Sequence, residues 1–397
     1  MDFSVIELDE DVLEFWHQFR SFLREQASPE FLESAWASGD EHDWAFHRAL
    51  AGHGWVAPDW PREIGGGGLG ELPSRIIALE LWQRGIPDLS RVTTLQIAGA
   101  IGPWIDDELR AELYPPIAAG EVLLCQGITE PGSGSDAAAA ATRAVRDAGE
   151  WVIDGQKMFT TNAQNCAYCF LLTRTDPSAP KHAGLTIFLV PLATAGIRID
   201  PVYTMGDERT NIVFYERVRV PDRYRVGPVN QGWQVLNSQL DAEHGLTGSE
   251  VVTSGFVFLT TLRRVFAEVS VWAQQAGADG TRPAGRAEVR AGLAYVESQV
   301  AVAAATPEPL LRVVASDALR DCVDRCLTMV GPAGLLSHGT PGAVGGGLIE
   351  RVYRAAPATA IYGGTTEVFR NYVAEHLLGL PRQRPTARSA RPAGSAS

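Results

Sequence analysis

The 397-residue sequence is 45% hydrophobic and 20% charged, a composition typical of a soluble globular chain with room for two or three domains. Its formal net charge of -13 argues against nucleic acid as a partner, because phosphate binding requires clustered Lys and Arg. No run of 18 apolar residues occurs, and the acidic N-terminus "MDFSVIELDED" lacks a signal-like apolar core, so we expect a cytoplasmic protein without membrane insertion.

Residues 1–120 are predicted to be mainly helical. From "DEDVLEFWHQFRSFLREQ" to "LSRVTTLQIAGAIGPWI", apolar residues recur at intervals of three and four, as in amphipathic helices. The glycine-rich stretch "EIGGGGLGELP" invites comparison with a nucleotide-binding loop. No strand precedes it and no βαβ pattern surrounds it, so that interpretation is not favoured.

Residues 121–225 are predicted to form a β-domain. Short β-branched and aromatic runs such as "YCFLLTR", "GLTIFLVPL" and "IVFYERVRV" alternate there with turn residues. Helical spacing returns over 226–382, and the Pro-, Arg- and Ser-rich end, 383–397, is predicted to be disordered. The order is helices, β-domain, helices and tail.

Five cysteines make a disulfide framework improbable in a cytosolic-type chain, since the number is odd. Cys166 and Cys169 form a C-x2-C pair, and Cys322 and Cys326 a C-x3-C pair. A zinc site needs four converging ligands, but the first pair lies in a strand-like run and the second on a helix-like face. Packing is therefore favoured over metal binding, and no metal is expected.

The strongest chemical signal is the pair of motifs "GITEPGSGSD" and, about twenty residues later, "GQKMFTTN". The glycines and serines around Gly134 and Ser135 allow a backbone to approach a ligand closely, and they offer amide and hydroxyl donors. Together with "HAGLTIFLVP" and "VRVPDRYRVG" in the same order, these motifs resemble those of the acyl-CoA dehydrogenase family. The resemblance extends over residues 5–382.

The family resemblance implies an α+β fold with an N-terminal helical domain, a central β-barrel-like domain and a C-terminal four-helix bundle. It also implies FAD bound between the β-domain and the bundle. Phe159 would cover the flavin ring where Trp is more usual, and the turn "IYGGTTEVFR" would bring two residues to its phosphate and ribose side. The implied FAD contacts are Gln126, Ile128, Thr129, Gly134, Ser135, Phe159, Thr161, Thr365 and Glu367.

The resemblance also locates a catalytic base. Gly363 stands where many family members carry a catalytic Glu, but a subset carries it on a bundle helix in the motif Leu-Asp-x-Glu-Arg. "LDAEH" matches that motif except at its last residue, so Glu243 is the predicted base and His244 replaces the Arg. A glycine at 363 would leave more room for the acyl group.

The implied reaction is α,β-dehydrogenation of an acyl-CoA to a trans-2-enoyl-CoA. Glu243 would take the α-proton while the β-hydrogen leaves as hydride to the flavin, and the backbone amide at Gly363 would stabilise the enolate oxygen. Ser135, Asp241 and His244 are the implied substrate contacts, Asp241 at the pantetheine arm. Electron-transfer flavoprotein is the implied electron acceptor.

One departure concerns assembly. Homotetrameric members carry an Arg and a Gln that reach a neighbouring subunit's FAD, and Gly277 and Thr328 stand at those positions here. An α2β2 heterotetramer with a related subunit would explain this, as in actinobacterial enzymes that oxidise steroid side chains. A homotetramer with replacement contacts is the alternative.

Two other functions remain open. A flavin oxidase or N-hydroxylase on the same fold would not use CoA and would react rapidly with oxygen when reduced. A non-catalytic partner subunit conflicts with the retained "TEPGSGSD", "FTTN" and "GGTTE" motifs.

Overall fold

The computed structural model describes residues 8–40, 42–243, 252–277 and 279–381, so the predicted disordered tail, 383–397, lies outside the described residues. The N-terminal part is helical. Its helices are α1 (Glu10–Gln26), α2 (Pro29–Ser38), α3 (Trp44–Ala51), α4 (Glu71–Arg84), α5 (Leu89–Ile101) and α6 (Asp107–Ala118).

Side-chain caps define where several of these helices begin. Ser28 accepts from the amide of Phe31 before α2, and Asp43 accepts from that of Phe46 at 2.7 Å before α3. Each cap satisfies an amide that has no partner within its own helix. The apolar faces of these helices then pack around a shared aromatic cluster that includes Phe19.

The glycine-rich stretch after α3 serves close backbone packing. A Cβ at Gly66 would stand 2.3 Å from the Trp60 carbonyl oxygen, and one at Gly67 would stand 2.8 Å from that of Pro58. Amides of this stretch bond back to the same segment, including Gly68 to Trp60 at 2.9 Å. Only glycine fits this approach, which accounts for the composition without a nucleotide.

A single eight-stranded sheet forms the middle of the chain, in the order β6-β7-β3-β2-β4-β5-β8, with β1 paired to β4 in parallel. Most pairs are antiparallel, and the buried faces read as the apolar runs seen in the sequence. The strands are β1 (Leu124–Gly127), β2 (Arg143–Asp147), β3 (Glu150–Lys157), β4 (Tyr168–Arg174), β5 (Leu185–Pro191), β6 (Ile197–Tyr203), β7 (Arg209–Pro221) and β8 (Arg225–Val226).

Helices return after the sheet. α8, α9 and α10 pack against one another around a second apolar core, which contains Cys322 and Cys326 as ordinary buried side chains. No helix within the described ranges is long and apolar enough to cross a bilayer. The helices are α7 (Gly232–Glu243), α8 (Ser254–Gln274), α9 (Ala287–Ala304), α10 (Leu310–Val330), α11 (Leu348–Ala355) and α12 (Thr366–Tyr372).

Helix α5 connects the three regions. It packs against β1 and α7, and the hydroxyl of Thr94 accepts from the amide of Leu124 at 2.9 Å. Gln96 also donates to the carbonyl of Val252, two residues before α8, at 3.3 Å. The start of the sheet and the C-terminal helices are therefore fixed to the same helix.

Two histidines are buried around the start of α3. The imidazole centres of His42 and His47 are 4.8 Å apart, and His47 is only 4% exposed. Burial lowers the pKa of His47 to about 3, with His42 and Arg91 adding to the effect, and burial lowers the pKa of His42 to about 4. Both imidazoles are therefore neutral in the folded protein near neutral pH.

We expect the folded protein to lose stability as the pH falls from 7 to 5. His47 takes up a proton in the unfolded chain near its ordinary pKa but stays neutral when folded, so acid favours unfolding. By pH 5 one such group removes about 2 kcal/mol from the free energy of unfolding. His47→Gln should remove that part of the loss, whereas His17→Gln, on the exposed side of α1, should not. Urea denaturation at the two pH values measures both, and an unchanged loss in His47→Gln would contradict the assignment.

Candidate active site

The two glycine- and threonine-containing motifs meet at one edge of the sheet. The first forms the connection from β1 to β2, and the second follows β3. The amide of Met158 donates to the carbonyl of Thr129 at 2.8 Å, which joins the two connections directly. Within the first, Glu130 and Ser133 exchange backbone hydrogen bonds at 2.9 and 3.1 Å, making a tight turn around the proline-glycine pair.

A buried ion pair also joins these two connections. Lys157, at the end of β3, is fully buried, and its ammonium donates to Glu130 Oε1 at 2.6 Å and to the carbonyl of Ile128 at 3.1 Å. The Glu130 carboxylate also accepts from the amides of Ala141 and Thr142 at 2.7 and 2.9 Å. One charged pair thus fixes both ends of the first connection and the start of the second.

Burial and mutual attraction act in opposite directions on the pKa values of Glu130 and Lys157. Burial acts to raise the pKa of Glu130, but the Lys157 charge and the amide donors outweigh it, and the pKa lies below its ordinary value. Burial lowers the pKa of Lys157, and Glu130 opposes that effect. Neither residue was singled out from the sequence, although Lys157 is the single charged residue of the second motif and Glu130 is one of two in the first.

We expect Lys157→Met to lower the free energy of unfolding by about 3–5 kcal/mol, because it leaves the Glu130 carboxylate buried without its cation. Combining it with Glu130→Gln should recover part of that loss. Lys181→Met is the matched control, since Lys181 pairs with Asp136 at the exposed surface, where a pair contributes about 1 kcal/mol or less. Chemical denaturation compares the variants, and equal losses from the two lysine substitutions would contradict this account.

The outer side of the connections is open. No atom of the described chain lies within 4 Å of where a Cβ would stand at Gly132 or Gly134, and Ser135 is exposed. Phe159 is 57% exposed and has a left-handed φ of 59°, an unusual conformation for a bulky residue. Such outliers concentrate at ligand sites, where surrounding structure holds them. Thr161 lies beside it, 3.4 Å from the hydroxyl of Thr210.

The remaining predicted residues of this region sit on or next to β1. Gln126 is on the strand and is half-buried, and Ile128 follows it, half-buried against the sheet core. Three buried polar atoms lie in the same two connections, and none has a protein partner in the part of the chain that the structure describes. They are Ser133 Oγ, Thr160 Oγ1 and Asn162 Oδ1.

The chemistry of this edge fits a flavin. It offers an exposed aromatic ring, threonine hydroxyls, open glycine backbone and buried polar atoms that lack protein partners. These are the groups that a planar, polar-edged ring with a ribityl chain and phosphates would use. Among the described residues, no group of His, Cys, Asp and Glu is arranged to hold a metal ion.

The turn before α12 is held by a buried arginine. Arg312, on α10 and 1% exposed, donates from Nη2 to the carbonyls of Tyr362 at 2.7 Å and Gly364 at 2.9 Å. Its guanidinium lies 4.6 Å from the ring centre of Phe258. Gly363 and Gly364 have φ values of 60° and 83°, so the turn requires glycine-like backbone. No sequence signal indicated Arg312, because about fifty residues separate it from the turn.

The residues after the turn begin α12. The Thr365 hydroxyl caps the helix by accepting from the amide of Val368 at 3.2 Å. Glu367 is exposed, and its Oε1 lies 3.5 Å from Nη1 of Arg370. The pKa of the Glu367 carboxyl is lowered mainly by a hydrogen bond from a backbone amide at the helix start. Its carboxylate is therefore stabilised locally by this helix start.

Helix α7 carries the predicted base at its last residue, Glu243. Leu240 packs against the sheet core, whereas Asp241 is exposed. The side chain of Glu243 and the whole of His244 lie outside the described residues, so their roles remain predictions.

The two positions that depart from the homotetramer pattern lie near the surface. Gly277 is in the connection from α8 to α9, where its amide donates to the carbonyl of Thr281 at 2.7 Å. Thr328 is on α10 and is exposed, as is Arg282. The structure thus places all three where another chain can reach them.

Comparison with known proteins identifies the family. The chain matches the models of the acyl-CoA dehydrogenase N-terminal domain over residues 9–121, the middle domain over 125–217 and the C-terminal domain over 230–378. The chain therefore belongs to the acyl-CoA dehydrogenase family. The expected α+β fold class is confirmed, and the protein is an oxidoreductase that acts on acyl-CoA.

Individual relatives refine the comparison. Acyl-CoA dehydrogenase FadE26 of Mycobacterium tuberculosis is 33% identical over 352 residues, which cover 83% of this chain and 86% of that protein. In the ChsE4-ChsE5 complex of the same organism, a chain at 30% identity superposes with a TM-score of 0.83 over 96% of this chain and 100% of its own length. A chain of the Tcur3481-Tcur3483 steroid ACAD is 27% identical, with the same TM-score and the same two coverages. The resemblance to steroid-type members is thereby confirmed.

Proposed function

We propose that this protein uses FAD to dehydrogenate an acyl-CoA thioester between its α and β carbons, giving a trans-2-enoyl-CoA. A bulky acyl group such as a steroid side chain is the substrate class we favour. The observation that carries the proposal is the joining of the two motif connections by the Thr129–Met158 hydrogen bond and the Glu130–Lys157 pair. Because these two connections are held together, Phe159, Thr161 and the open glycine backbone lie close to one another at the same part of the sheet.

FAD, when bound, supplies a hydride acceptor for the β-hydrogen. Phe159 would cover the ring and exclude water from it, and Thr129 and Thr161 would donate to its polar edge. Gln126, Ile128, Gly134 and Ser135 would line the same face, and Thr365 and Glu367 would meet the ribose and phosphate side. The exposed setting of Phe159 and the open space at Gly134 support these roles.

Glu243 would remove the α-proton. An α-proton of a thioester is a weak acid, so the negative charge that develops on the thioester oxygen must be stabilised. The backbone amide at Gly363 would donate to that oxygen, a role that needs no side chain. The fixed turn supports it, because Arg312 bonds to the carbonyls on either side of Gly363 and so holds the backbone of that residue in place.

The CoA part of the substrate would lie along the exposed side of α7. Gln234, Asn237 and Asp241 are spaced by three and four residues and are all exposed, so they form one polar stripe along α7. Asp241 would meet the pantetheine arm, with Ser135 opposite it on the sheet edge. His244 would replace the arginine that other members use near the nucleotide.

We also propose that the active assembly is an α2β2 heterotetramer with a related dehydrogenase subunit, a homotetramer being the alternative. Two observations support it: Gly277 and Thr328 offer neither of the two long polar side chains used by homotetrameric members, and one similar chain comes from a ChsE4-ChsE5 complex. Electron-transfer flavoprotein is the proposed electron acceptor.

One experiment tests the function directly. The chain is co-expressed with a related subunit from its own genome, and the purified complex is mixed anaerobically with steroid side-chain, branched and linear acyl-CoAs. We expect FAD absorbance, its bleaching by at least one acyl-CoA, and a product lighter by two hydrogens in the mass spectrum. A flavin that no acyl-CoA bleaches, but whose reduced form reacts rapidly with oxygen, would instead indicate an oxidase.

A further inference from the structure

Three thiols lie close together on the β-domain, on β1 and at the start of β4. Cys125 on β1 and Cys169 on β4 are direct partners in the parallel register. Cys166 precedes β4 and follows a short turn, and the amide of the next residue, Ala167, donates to the carbonyl of Leu123 at 2.9 Å. This anchor brings Cys166 to the start of β1, close enough to Cys125 to raise the pKa of that thiol. The Cys125 thiol itself donates to the carbonyl of Tyr168 at 3.7 Å.

The three thiols differ in access. Cys125 is 1% exposed and Cys169 is fully buried, whereas Cys166 is half-buried and lines a surface cavity of about 450 Å³. The cavity wall is otherwise mostly apolar, with Val122, Leu192 and Ile199 among its residues. A small uncharged oxidant can therefore reach Cys166 before it reaches Cys125 or Cys169.

We propose that Cys166 is a site of oxidation by hydrogen peroxide and that Cys125 is its resolving partner. The Cys166 thiol loses its proton, its thiolate attacks one peroxide oxygen, and the O–O bond breaks. The departing hydroxide takes up that proton, so the products are a Cys166 sulfenic acid and water. The Cys125 sulfur then attacks the Cys166 sulfur, the S–O bond breaks, and the departing hydroxide takes the Cys125 proton as a second water. Two thiols give up two electrons to one peroxide and become one disulfide.

Cys125 is a better resolving partner than Cys169. Cys169 lies in a regular strand pair beside the Tyr215 hydroxyl, and its position is fixed on both sides by β1 and β5. Cys166 lies outside the regular strands, so its backbone can adjust towards the Cα separation of about 4.4–6.8 Å that a disulfide requires.

The chain contains a matched internal control. Cys322 and Cys326 are separated by one helical turn on α10, and both are fully buried in the second core. Burial raises the pKa of each to about 12. This pair has neighbouring thiols but does not line the cavity that Cys166 lines, so it tests whether access through that cavity decides the reaction.

The test is peroxide treatment of the purified full-length protein, with its partner subunit where one co-purifies, followed by non-reducing digestion with trypsin and chymotrypsin. Cleavage after Tyr168 separates Cys166 from Cys169. We expect a peptide pair linked through Cys125 and Cys166, two mass units lighter than the thiols and released by dithiothreitol. Cys322 and Cys326 should remain thiols.

Two variants and one labelling measurement complete the test. Cys166→Ser should abolish the linked pair, and Cys125→Ser should leave a Cys166 sulfenic acid that dimedone traps. On the untreated wild-type protein, iodoacetamide should label Cys166 at least about tenfold faster than Cys322 or Cys326, in line with the difference in exposure. Equal labelling rates, linkage through Cys169, or oxidation of Cys166 to sulfinic acid with no linked pair would each overturn the proposal.

Discussion

Glu243→Gln should slow flavin reduction by an acyl-CoA by about 10²–10⁴-fold, the range that positioned general bases contribute. Glutamine has nearly the same shape as glutamate but cannot accept the α-proton. The bound FAD should keep its absorbance, because none of the proposed flavin contacts is altered. Anaerobic stopped-flow measurement of flavin bleaching gives the rate, and a rate within about tenfold of wild type would remove Glu243 from the proposed mechanism.

Two companion variants separate chemistry from binding. Asp241→Asn, on the exposed side of the same helix, should raise the KM for acyl-CoA while changing kcat little, because the proposed contact is to the pantetheine arm and not to the reacting carbons. Glu288→Gln, on the exposed start of α9, should change neither constant. A kcat loss in Asp241→Asn as large as that in Glu243→Gln would mean that the helix end, and not one carboxylate, has been disturbed.

The chain purified alone should contain little FAD. Each missing contact at positions 277 and 328 is expected to weaken FAD binding by about 1–3 kcal/mol. Together they represent about 2–6 kcal/mol, or one to four orders of magnitude in Kd. A partner subunit that supplies these contacts should raise occupancy to about one FAD per heterodimer, because only the site next to this chain's Glu243 would be complete. Native mass spectrometry and flavin absorbance of both preparations measure the difference.

A variant that should gain FAD binding is the matched control. The double substitution Gly277→Arg with Thr328→Gln should raise the FAD content of the chain purified alone. Position 277 can accept a side chain with small adjustment, since a Cβ there would stand 3.2 Å from Asp279 Oδ1. If the unmodified chain is instead a homotetramer with one tightly bound FAD per subunit and full activity, the heterotetramer proposal is wrong. Arg282 or a neighbouring side chain would then supply the contact.

The order of helical and strand regions was predictable because it depends on local periodicity. Amphipathic spacing marked α1 and α5, and apolar β-branched runs marked β4 and β5. The two motifs were also readable, because glycine, serine and threonine occur in them at fixed spacing. That they lie side by side followed from the family resemblance and not from the residues themselves, since the contact between Thr129 and Met158 spans nearly thirty positions.

The supporting residues were not predictable for the same reason. Arg312 reaches a turn fifty residues away, and Glu130 pairs with a lysine twenty-seven residues away. Neither partner can be chosen from one sequence, because a buried charge looks the same in the sequence as an exposed one. The four glycines at 65–68 illustrate the opposite error. Their composition suggested a ligand-binding loop, but their contacts show that they allow close backbone packing.

The way in which Arg312 holds the turn has an evolutionary consequence. It binds the carbonyls of Tyr362 and Gly364, which every amino acid possesses, so these two hydrogen bonds need no side chain at 363. A carboxylate could therefore be lost from this position without unravelling the turn. The way back is harder, because Gly363 now has a φ of 60°, where a residue with a Cβ costs about 1–2 kcal/mol. With the base proposed on α7, a return of the carboxylate to position 363 would pass through a less stable protein.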